Sequence, residues 1–306
     1  CDGFLSCANV PSSYYPLRDN FHGDHPGTRE CWSHVRRPVN TERGEVGEWV
    51  LVDGVPSTCT NIGLFTGDAL FGAENADPID VVLSGPNFGR NTGAAFSVSS
   101  GTLGAALAGS LCNIRSIALS FCHFMKDPPT LEKQSLASTL STKTKSSVVS
   151  LPAPPLSPDA FAAMSHLACK HSVDICQQLL DAWDSDIHVQ SYSMNVPIAE
   201  TLKRPQVYWT RIWPSRHVQL YPQPSDPDVL PRVEPLGVEP KIKDDDDDPA
   251  CAFLEFRPNL ALAMCPPEPE PGTDVWAISN GNISISRLVA SFGQVEPGPR
   301  PPPTVG

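Results

Sequence analysis

Residues 79–93 read IDVVLSGPNFGRNTG, a short apolar run that ends in a turn rich in glycine and asparagine. A run of this length, bounded by turn residues, is typical of a buried strand, and Gly85-Pro86 marks its end. In open parallel sheets, ligands bind beyond the carboxyl ends of the strands. This stretch therefore predicts a strand of a parallel sheet with a candidate binding turn behind it.

The segments on either side of this turn alternate between strand and helix patterns. Before it, Glu48–Asp53 is another apolar run, and a short helix is expected to begin near Ser57. After it, residues 100–111 place their apolar side chains on one helical face, and Ser116–Phe121 forms a third run. Strands and helices in this order and at this spacing predict right-handed βαβ units on a mainly parallel sheet.

Further elements are predicted downstream. Ser157 and Pro158 supply the cap and first turn of a long helix. Its core-facing stripe is predicted to comprise Phe161, Met164, Ala168, Ile175, Leu179 and Trp183. Two strands, Tyr192–Val196 and Val207–Trp213, and a closing hairpin formed by Val275–Ile278 and Ile283–Phe292 are expected to follow. We therefore expect an α/β fold: a Rossmann-like three-layer domain with a mainly parallel sheet and a C-terminal β-hairpin extension.

The 33 prolines concentrate between the predicted elements and suggest the domain limits. We expect an irregular lead-in over residues 1–47, one domain over 48–292 and a Pro-rich tail over 293–306. Loop insertions are expected near 128–157 and 222–250.

Charge and cysteine content exclude several classes of protein. A net charge of −12 argues against binding to polymeric nucleic acid, and the run Asp244–Asp248 lacks the alternating spacing of a calcium loop. None of the ten cysteines forms a C-x-x-C pair, so a zinc site is not expected. No apolar stretch is long enough to cross a membrane, and we expect a cytoplasmic protein.

The glycine-rich turn and the helix after it carry the groups that phosphate binding requires. Asn87 and Asn91 offer amide groups to a cation or a phosphate, and Arg90 offers a guanidinium fork. Ser100, Gly101 and Thr102 stand at a predicted helix start, where free N–H groups attract anions. On physical grounds alone, simple turn glycines with a helix cap explain the pattern equally well.

Three blocks of sequence resemble the SurE survival-protein family, in the spelling of its fungal branch. They are EWVLVDGVPSTC at 48–59, DVVLSGPNFGRNTG at 80–93 and SSGTLG at 99–104. The resemblance extends more weakly to residue 292. It implies a metal-dependent phosphomonoester hydrolase of the acid phosphatase or 5′-nucleotidase type, acting on nucleoside 5′- or 3′-monophosphates or similar small phosphates with Mg²⁺ or Mn²⁺. The family commonly forms dimers, so the resemblance also implies a homodimer.

The resemblance assigns roles to five residues. Asn87 matches a metal ligand of the family, while Asn91, Ser100, Gly101 and Thr102 match positions beside the phosphate. The family's other ligands are two adjacent aspartates and a serine, and neither motif occurs in residues 1–47. A divalent cation held by one neutral amide lacks the anionic ligands that it requires. We therefore expect an N-terminally truncated chain whose own catalysis is impaired.

Two alternatives to an enzyme stay open. In the first alternative, the chain is a non-catalytic module that binds a nucleotide or phosphate. In the second, it is an appendage of a tubulin-tyrosine-ligase-like protein. His123 and His217 are weak candidates for a general acid or base, because a lone histidine is more often structural. A dehydrogenase is excluded, because no G-x-G-x-x-G fingerprint follows a predicted strand.

Overall fold

The computed structural model describes residues 12–15, 32–33, 37–67, 78–122, 156–183, 188–216 and 269–291. Residues 128–155 and 222–250 of the predicted loop insertions, the tail at 293–306, His123 and His217 lie outside these ranges. The domain limits that we predict therefore stay predictions.

A small antiparallel sheet lies at the start of the described chain. It consists of β1 (Ser12–Tyr14), β2 (Trp32–Ser33) and β3 (Trp49–Leu51), with β1 in the middle. Two expectations are wrong here. The segment 1–47 contains β1 and β2, and the run Glu48–Asp53 pairs with β1 and not with the parallel sheet. The apolar pattern of a short strand identifies the strand but not its partner.

An ion pair between a half-buried arginine and a buried glutamate packs beside this small sheet. The Arg37 guanidinium lies over the Tyr15 ring, 3.8 Å from its centroid, and donates to both carboxylate oxygens of Glu45 at 2.7 and 2.8 Å. The backbone N–H of Asn40 also donates to Glu45, at 2.7 Å. The hydrogen bonds from Arg37 lower the pKa of Glu45 from 4.5 to about 2, although burial of the carboxyl opposes the shift.

We expect this carboxylate to make stability depend on acid pH. Because the folded pKa lies below the unfolded one, the contribution of Glu45 is complete above pH 4.5 and is lost as the pH falls towards 2. A shift of this size corresponds to about 3 kcal/mol. Urea unfolding between pH 2 and pH 6 should show a flatter pH profile for Glu45→Gln than for the natural protein. Glu42→Gln, at an exposed position, is the control; parallel profiles for Glu45→Gln and the natural protein would contradict the prediction.

The main body is a five-stranded sheet with helices on both faces. Its elements are α1 (Pro56–Phe65), β4 (Val81–Phe88), α2 (Ala94–Ser99), α3 (Gly101–Leu111), β5 (Arg115–Cys122), α4 (Pro158–Asp181), β6 (Ser191–Pro197), β7 (Val207–Thr210), α5 (Asp274–Ser279) and β8 (Ile283–Leu288). The strand order is β4-β5-β6-β8-β7. All neighbours are parallel except β6 and β8, which are antiparallel. The predicted α/β fold with a mainly parallel sheet is confirmed.

The predicted C-terminal hairpin is wrong. Val275–Ile278 lies within helix α5, and β8 pairs antiparallel with β6 and parallel with β7. The Thr273 hydroxyl caps α5 by accepting from the N–H of Trp276, and Asp274 occupies the first turn. A cap and a first-turn acid favour a helix at this point.

One face of the sheet carries the large apolar side chains of the core. Helix α4 begins at its predicted cap, Ser157, whose side chain accepts from the N–H of Ala160. Its buried residues pack on alternate residues of β5, β6 and β8. The core residues on this side are Ile117, Leu119, Phe121, Met164, Ala168, Leu179, Trp183, Tyr192, Met194, Val196, Ile283 and Ile285.

The opposite face is lined by small, mostly polar side chains, and we call it the serine face. Its members Ser116, Ser120, Ser191, Ser193, Asn195, Ser284 and Ser286 are all buried. Ala118 lies among them and packs against Leu103 and Ala106 of α3. A side chain added at Gly109 of α3 would lie 2.6 Å from the Ser116 hydroxyl oxygen. Helix α3 therefore approaches this face closely at its last turn, and Leu103, near its start, packs on Ala118.

Candidate functional site

Three polar residues form one row across the parallel strands, close to their carboxyl ends. In the sheet register, Asn87 of β4 pairs with Ser120 of β5, and Ser120 pairs with Asn195 of β6. Alternation along a strand places residues at equivalent register positions on the same face. The predicted metal ligand, Asn87, thus lies at one end of a polar row on the serine face.

The turn after β4 folds back onto this row. The backbone N–H of Asn91 donates to the side-chain oxygen of Asn195 at 2.9 Å, and the Asn91 amide donates to the Ser120 hydroxyl at 2.8 Å. The side chain of Asn91 is buried, with a relative exposure of 7%. This geometry favours a role for Asn91 in holding the turn. Its direct contact with a phosphate stays a prediction.

Asn87 keeps an oxygen atom available. Its amide nitrogen donates to the carbonyl of Gly89 at 3.1 Å, which orients the side chain. Within the part of the chain that the structure describes, no hydrogen bond reaches the side-chain oxygen of Asn87. An amide oxygen is a suitable ligand for a hard cation and a suitable acceptor from a substrate hydroxyl. The metal role of Asn87 stays a prediction.

The start of α3 has the expected geometry of a capped helix. The Ser100 side chain accepts from the N–H of Leu103 at 3.1 Å, so Ser100 is the N-cap. Gly101 and Thr102 occupy the first turn, where backbone N–H groups have no partner within the helix. Gly101 packs on Pro56 of α1, since a side chain there would lie 2.8 Å from the proline ring. Three of the four residues predicted to bind phosphate therefore lie at a supported helix start.

A groove of about 490 Å³ lies between residues of the first two sequence blocks. Ser84 and Gly85 of β4 line it together with Gly54 and Pro56, which precede and begin α1. A second depression, of about 540 Å³, is lined by Trp209, Arg287 and their neighbours. Because Leu288 pairs with Ser191, the first residue of β6, that depression lies at the amino end of β6, away from the polar row. We place the candidate site at the polar row and the start of α3; the groove beside β4 adjoins it at Pro56, on which Gly101 packs.

The thiol at the end of β5 is not a nucleophile at neutral pH. Cys122 is buried, and burial raises its pKa to about 12, although the nearby Arg90 guanidinium opposes the shift. Its Sγ lies 3.7 Å from the side-chain oxygen of Asn195. Because the Arg90 guanidinium acts to lower the pKa of this thiol, its positive charge lies near the carboxyl edge of the sheet. The predicted phosphate contact of Arg90 stays a prediction.

A buried carboxylate from the end of the chain meets the same turn. Asp274 is 1% exposed, and it accepts hydrogen bonds from the N–H groups of Gly93 at 2.7 Å, Trp213 at 2.9 Å and Val275 at 2.8 Å. Burial raises the pKa of Asp274, and these hydrogen bonds oppose the shift. Sequence reasoning missed Asp274, Asn195 and Ser120. The pair Thr273-Asp274 indicates the start of a helix, but it does not indicate that the Asp274 carboxylate accepts a hydrogen bond from Gly93.

The described residues do not form a complete site for a divalent cation. Across these ranges, no group of three or more His, Cys, Asp or Glu side chains is arranged to hold a metal ion. The neutral amide of Asn87 is thus without the anionic ligands that Mg²⁺ or Mn²⁺ requires.

Of the helices described, none combines the length and apolar character needed to cross a membrane.

Comparison with known proteins identifies the family. A sequence model of the family described as "Survival protein SurE" matches residues 28–219, well over half of the chain. The chain belongs to the SurE family. The match begins upstream of β3 and includes the polar row and the capped start of α3, so both lie within the SurE region.

Curated relatives of the SurE chain match shorter stretches. The 5′-nucleotidase SurE of Dehalococcoides mccartyi is 41% identical over 81 residues, which are 26% of this chain and 28% of that protein. The 5′-nucleotidase SurE of Fervidobacterium nodosum is 42% identical over 81 residues, 26% of this chain and 29% of that protein. The probable tubulin–tyrosine ligase PBY1 of Saccharomyces cerevisiae is 32% identical over 183 residues, 58% of this chain and 19% of that protein. The chain thus spans less than a third of each of these relatives.

A solved SurE structure is also similar. The crystal structure of the SurE protein from Aquifex aeolicus has 21% sequence identity and a TM-score of 0.42, over 84% of this chain and 73% of that one.

Proposed function

We propose that this chain is the phosphate-binding part of a SurE-type phosphomonoester hydrolase that acts on nucleoside 5′- or 3′-monophosphates. The observation that carries the proposal is the polar row at the carboxyl edge of β4–β6, which lies within a segment that matches the SurE family. The names of the two bacterial relatives, both 5′-nucleotidases, support this reaction class. A net charge of −12 favours a small phosphorylated substrate over polymeric nucleic acid.

Each group at this edge has a role in the proposal. The N–H groups of Gly101 and Thr102 donate to phosphate oxygens, since the first turn of a helix has free donors and a positive end of the dipole. Asn91 holds the turn through Ser120, and Asn87 presents its side-chain oxygen. These groups bind and orient the substrate.

Metal dependence is the finer part of the proposal. The SurE family is generally dependent on a divalent metal, and an amide oxygen such as that of Asn87 suits Mg²⁺ or Mn²⁺. Because the described residues do not complete such a site, we assign no chemical step to a metal here. We propose that any metal bound by the full-length protein requires carboxylates from outside the described residues.

The function is tested by phosphate release from nucleoside monophosphates by the full-length protein. We expect activity with Mg²⁺ or Mn²⁺, loss of activity with EDTA, and a decrease in kcat/KM of about 100-fold or more in Asn87→Ala, as for loss of one preorganised polar group. Asn113→Gly is the matched control. It also removes a side-chain amide, here an exposed one just before β5, where φ is +61° and glycine is readily accommodated. Activity that EDTA and Asn87→Ala both leave unchanged would reject the proposal.

A second candidate is a non-catalytic module that binds a nucleotide or phosphate. It is favoured by the incomplete metal site of the described residues. The yeast relative, much longer than this chain and named a probable tubulin–tyrosine ligase, supports the related proposal that such a module accompanies a ligase-like region. Binding of AMP in calorimetry without any phosphate release by the full-length protein would favour this candidate.

We also propose a cytoplasmic location. The five described cysteines, Cys59, Cys112, Cys122, Cys169 and Cys176, are all free thiols. Free thiols are expected in a reducing compartment. The homodimer expected from the family stays a prediction, which size-exclusion chromatography with light scattering would test.

A further inference from the structure

The carboxylate of Asp274 connects three segments that are distant in sequence. One oxygen accepts from Gly93, at the end of the glycine-rich turn. The other accepts from Trp213, three residues after β7, and from Val275 in its own helix. Three N–H groups thus donate to one carboxylate that is 1% exposed. Hydrogen bonds to charged acceptors are stronger than those to neutral ones, so Asp274 holds these segments together firmly.

The segment after β7 makes two further hydrogen bonds to the residues that follow Gly93. The Trp213 carbonyl accepts from the N–H of Ala94 at 2.8 Å, and the Ser215 hydroxyl accepts from the N–H of Ala95 at 2.9 Å. The N–H groups of Gly93, Ala94 and Ala95 are therefore all bonded to distant parts of the chain. We call Asp274, Trp213 and Ser215 the turn anchor.

The turn anchor lies between the two halves of the candidate site. Upstream of Gly93, the turn carries Asn91 and, at its beginning, Asn87. Downstream, the six residues of α2 lead directly to Ser100, the cap of α3. Because α2 is short and is held at its first turn, a displacement at Gly93 shifts the turn on one side and the start of α3 on the other.

We propose that Asp274 is a positioning residue for the SurE-type reaction, holding the Asn87–Gly93 turn and the start of α3 in register. This inference rests on the proposed function. Asp274 accepts from backbone N–H groups, so its replacement misorients the substrate-binding groups without removing any of them, and turnover should fall more than substrate binding. Misplacing reactive groups by about 1 Å can reduce a rate by about 100-fold.

The test is Asp274→Asn in the full-length protein. The amide has the same size, but its NH₂ group must face one of the three N–H donors, so at least one hydrogen bond is lost. We expect kcat for AMP hydrolysis to fall at least tenfold with KM changed less than threefold. Amide hydrogen exchange should rise in peptides spanning residues 89–99. Ser215→Ala removes one neutral acceptor and should give smaller changes in the same direction, which keeps the test decisive if Asp274→Asn fails to fold.

Glu45→Gln is the matched control, since it converts another buried carboxylate to an amide, in the small sheet. It should lower stability without raising exchange at residues 89–99 or lowering kcat. Unchanged exchange at residues 89–99, or unchanged kcat in folded Asp274→Asn, would overturn the inference. If the natural protein releases no phosphate from any monophosphate, the proposed function fails, and the exchange measurement alone decides whether Asp274 holds the turn.

Discussion

Replacing Gly85 by alanine is expected to lower the free energy of unfolding by about 3–5 kcal/mol, because both backbone strain and overpacking arise there. Gly85 has φ of +111°, which side chains other than glycine rarely adopt. A methyl group there would lie 2.2 Å from the carbonyl oxygen of Leu119 in β5. The carbonyl belongs to the neighbouring strand, so the strands must separate to relieve the contact.

The consequence reaches the candidate site directly. Gly85 lies within the irregularity between Ser84 and Asn87, where the register of β4 against β5 shifts. Moving β4 away from β5 therefore displaces Asn87 from Ser120.

Urea unfolding followed by circular dichroism measures the loss of stability. Gly104→Ala in helix α3, where an added methyl group meets open space, is the control, and it should be neutral or stabilising by about 0.5–1 kcal/mol. Equal stability of the two variants would contradict the prediction.

Replacing Trp183 by alanine is expected to have a comparable effect, about 3–5 kcal/mol, because it removes a large side chain from the core under α4. The Trp183 ring contacts the Tyr192 ring edge-to-face, with centroids 4.5 Å apart. Its ring N–H donates to the carbonyl of Val189 at 3.1 Å. Removing the ring leaves both a cavity and an unsatisfied carbonyl.

Trp183→Phe separates these two contributions. Phenylalanine keeps an aromatic ring against Tyr192 but loses the N–H donor, so a smaller destabilisation is expected, about 1–3 kcal/mol from the unsatisfied carbonyl. Chemical unfolding of the natural protein and both variants measures the difference. The explanation fails if the phenylalanine variant is as unstable as the alanine variant.

Elements with a strong local pattern were predictable. Helix α4 begins at Ser157 and buries Met164, Ala168 and Leu179, as its periodicity and cap indicate. The buried strands β5 and β6 and the capped helix α3 likewise follow from residues close together in sequence. In each case the signal lies within one element, and sequence reasoning has access to all of it.

Short apolar runs gave two wrong predictions for the same physical reason. Val275–Ile278 is buried almost all round, so it shows neither the period of a strand nor that of a helix. Its flanking residues, Thr273 and Asp274, were the better guide. Residues 49–51 form a strand as expected, but a run of three residues contains no information about whether its neighbour is β1 or β4.

The candidate site was only half predictable. Asn87 and the Ser100 cap were recognised because they belong to local motifs. The partners that hold the turn come from far along the chain: Asn195 is 104 residues from Asn91, and Asp274 is 181 residues from Gly93. Such pairs depend on the order of strands in the sheet, which local patterns do not determine.

The serine face has a consequence for how this protein can change over evolutionary time. Under α4, neighbouring apolar side chains can exchange volume, a larger residue at one position compensating a smaller one beside it. Between the sheet and α3 there is less volume to exchange, since most side chains of the serine face are serines. A methyl group at Gly109 would lie within 3 Å of the Ser116 hydroxyl oxygen and of a Val82 methyl carbon. Substitutions that change side-chain volume are therefore tolerated more readily on the α4 side of the sheet than on the serine face. The side with little room is the one that carries Asn87 and the start of α3.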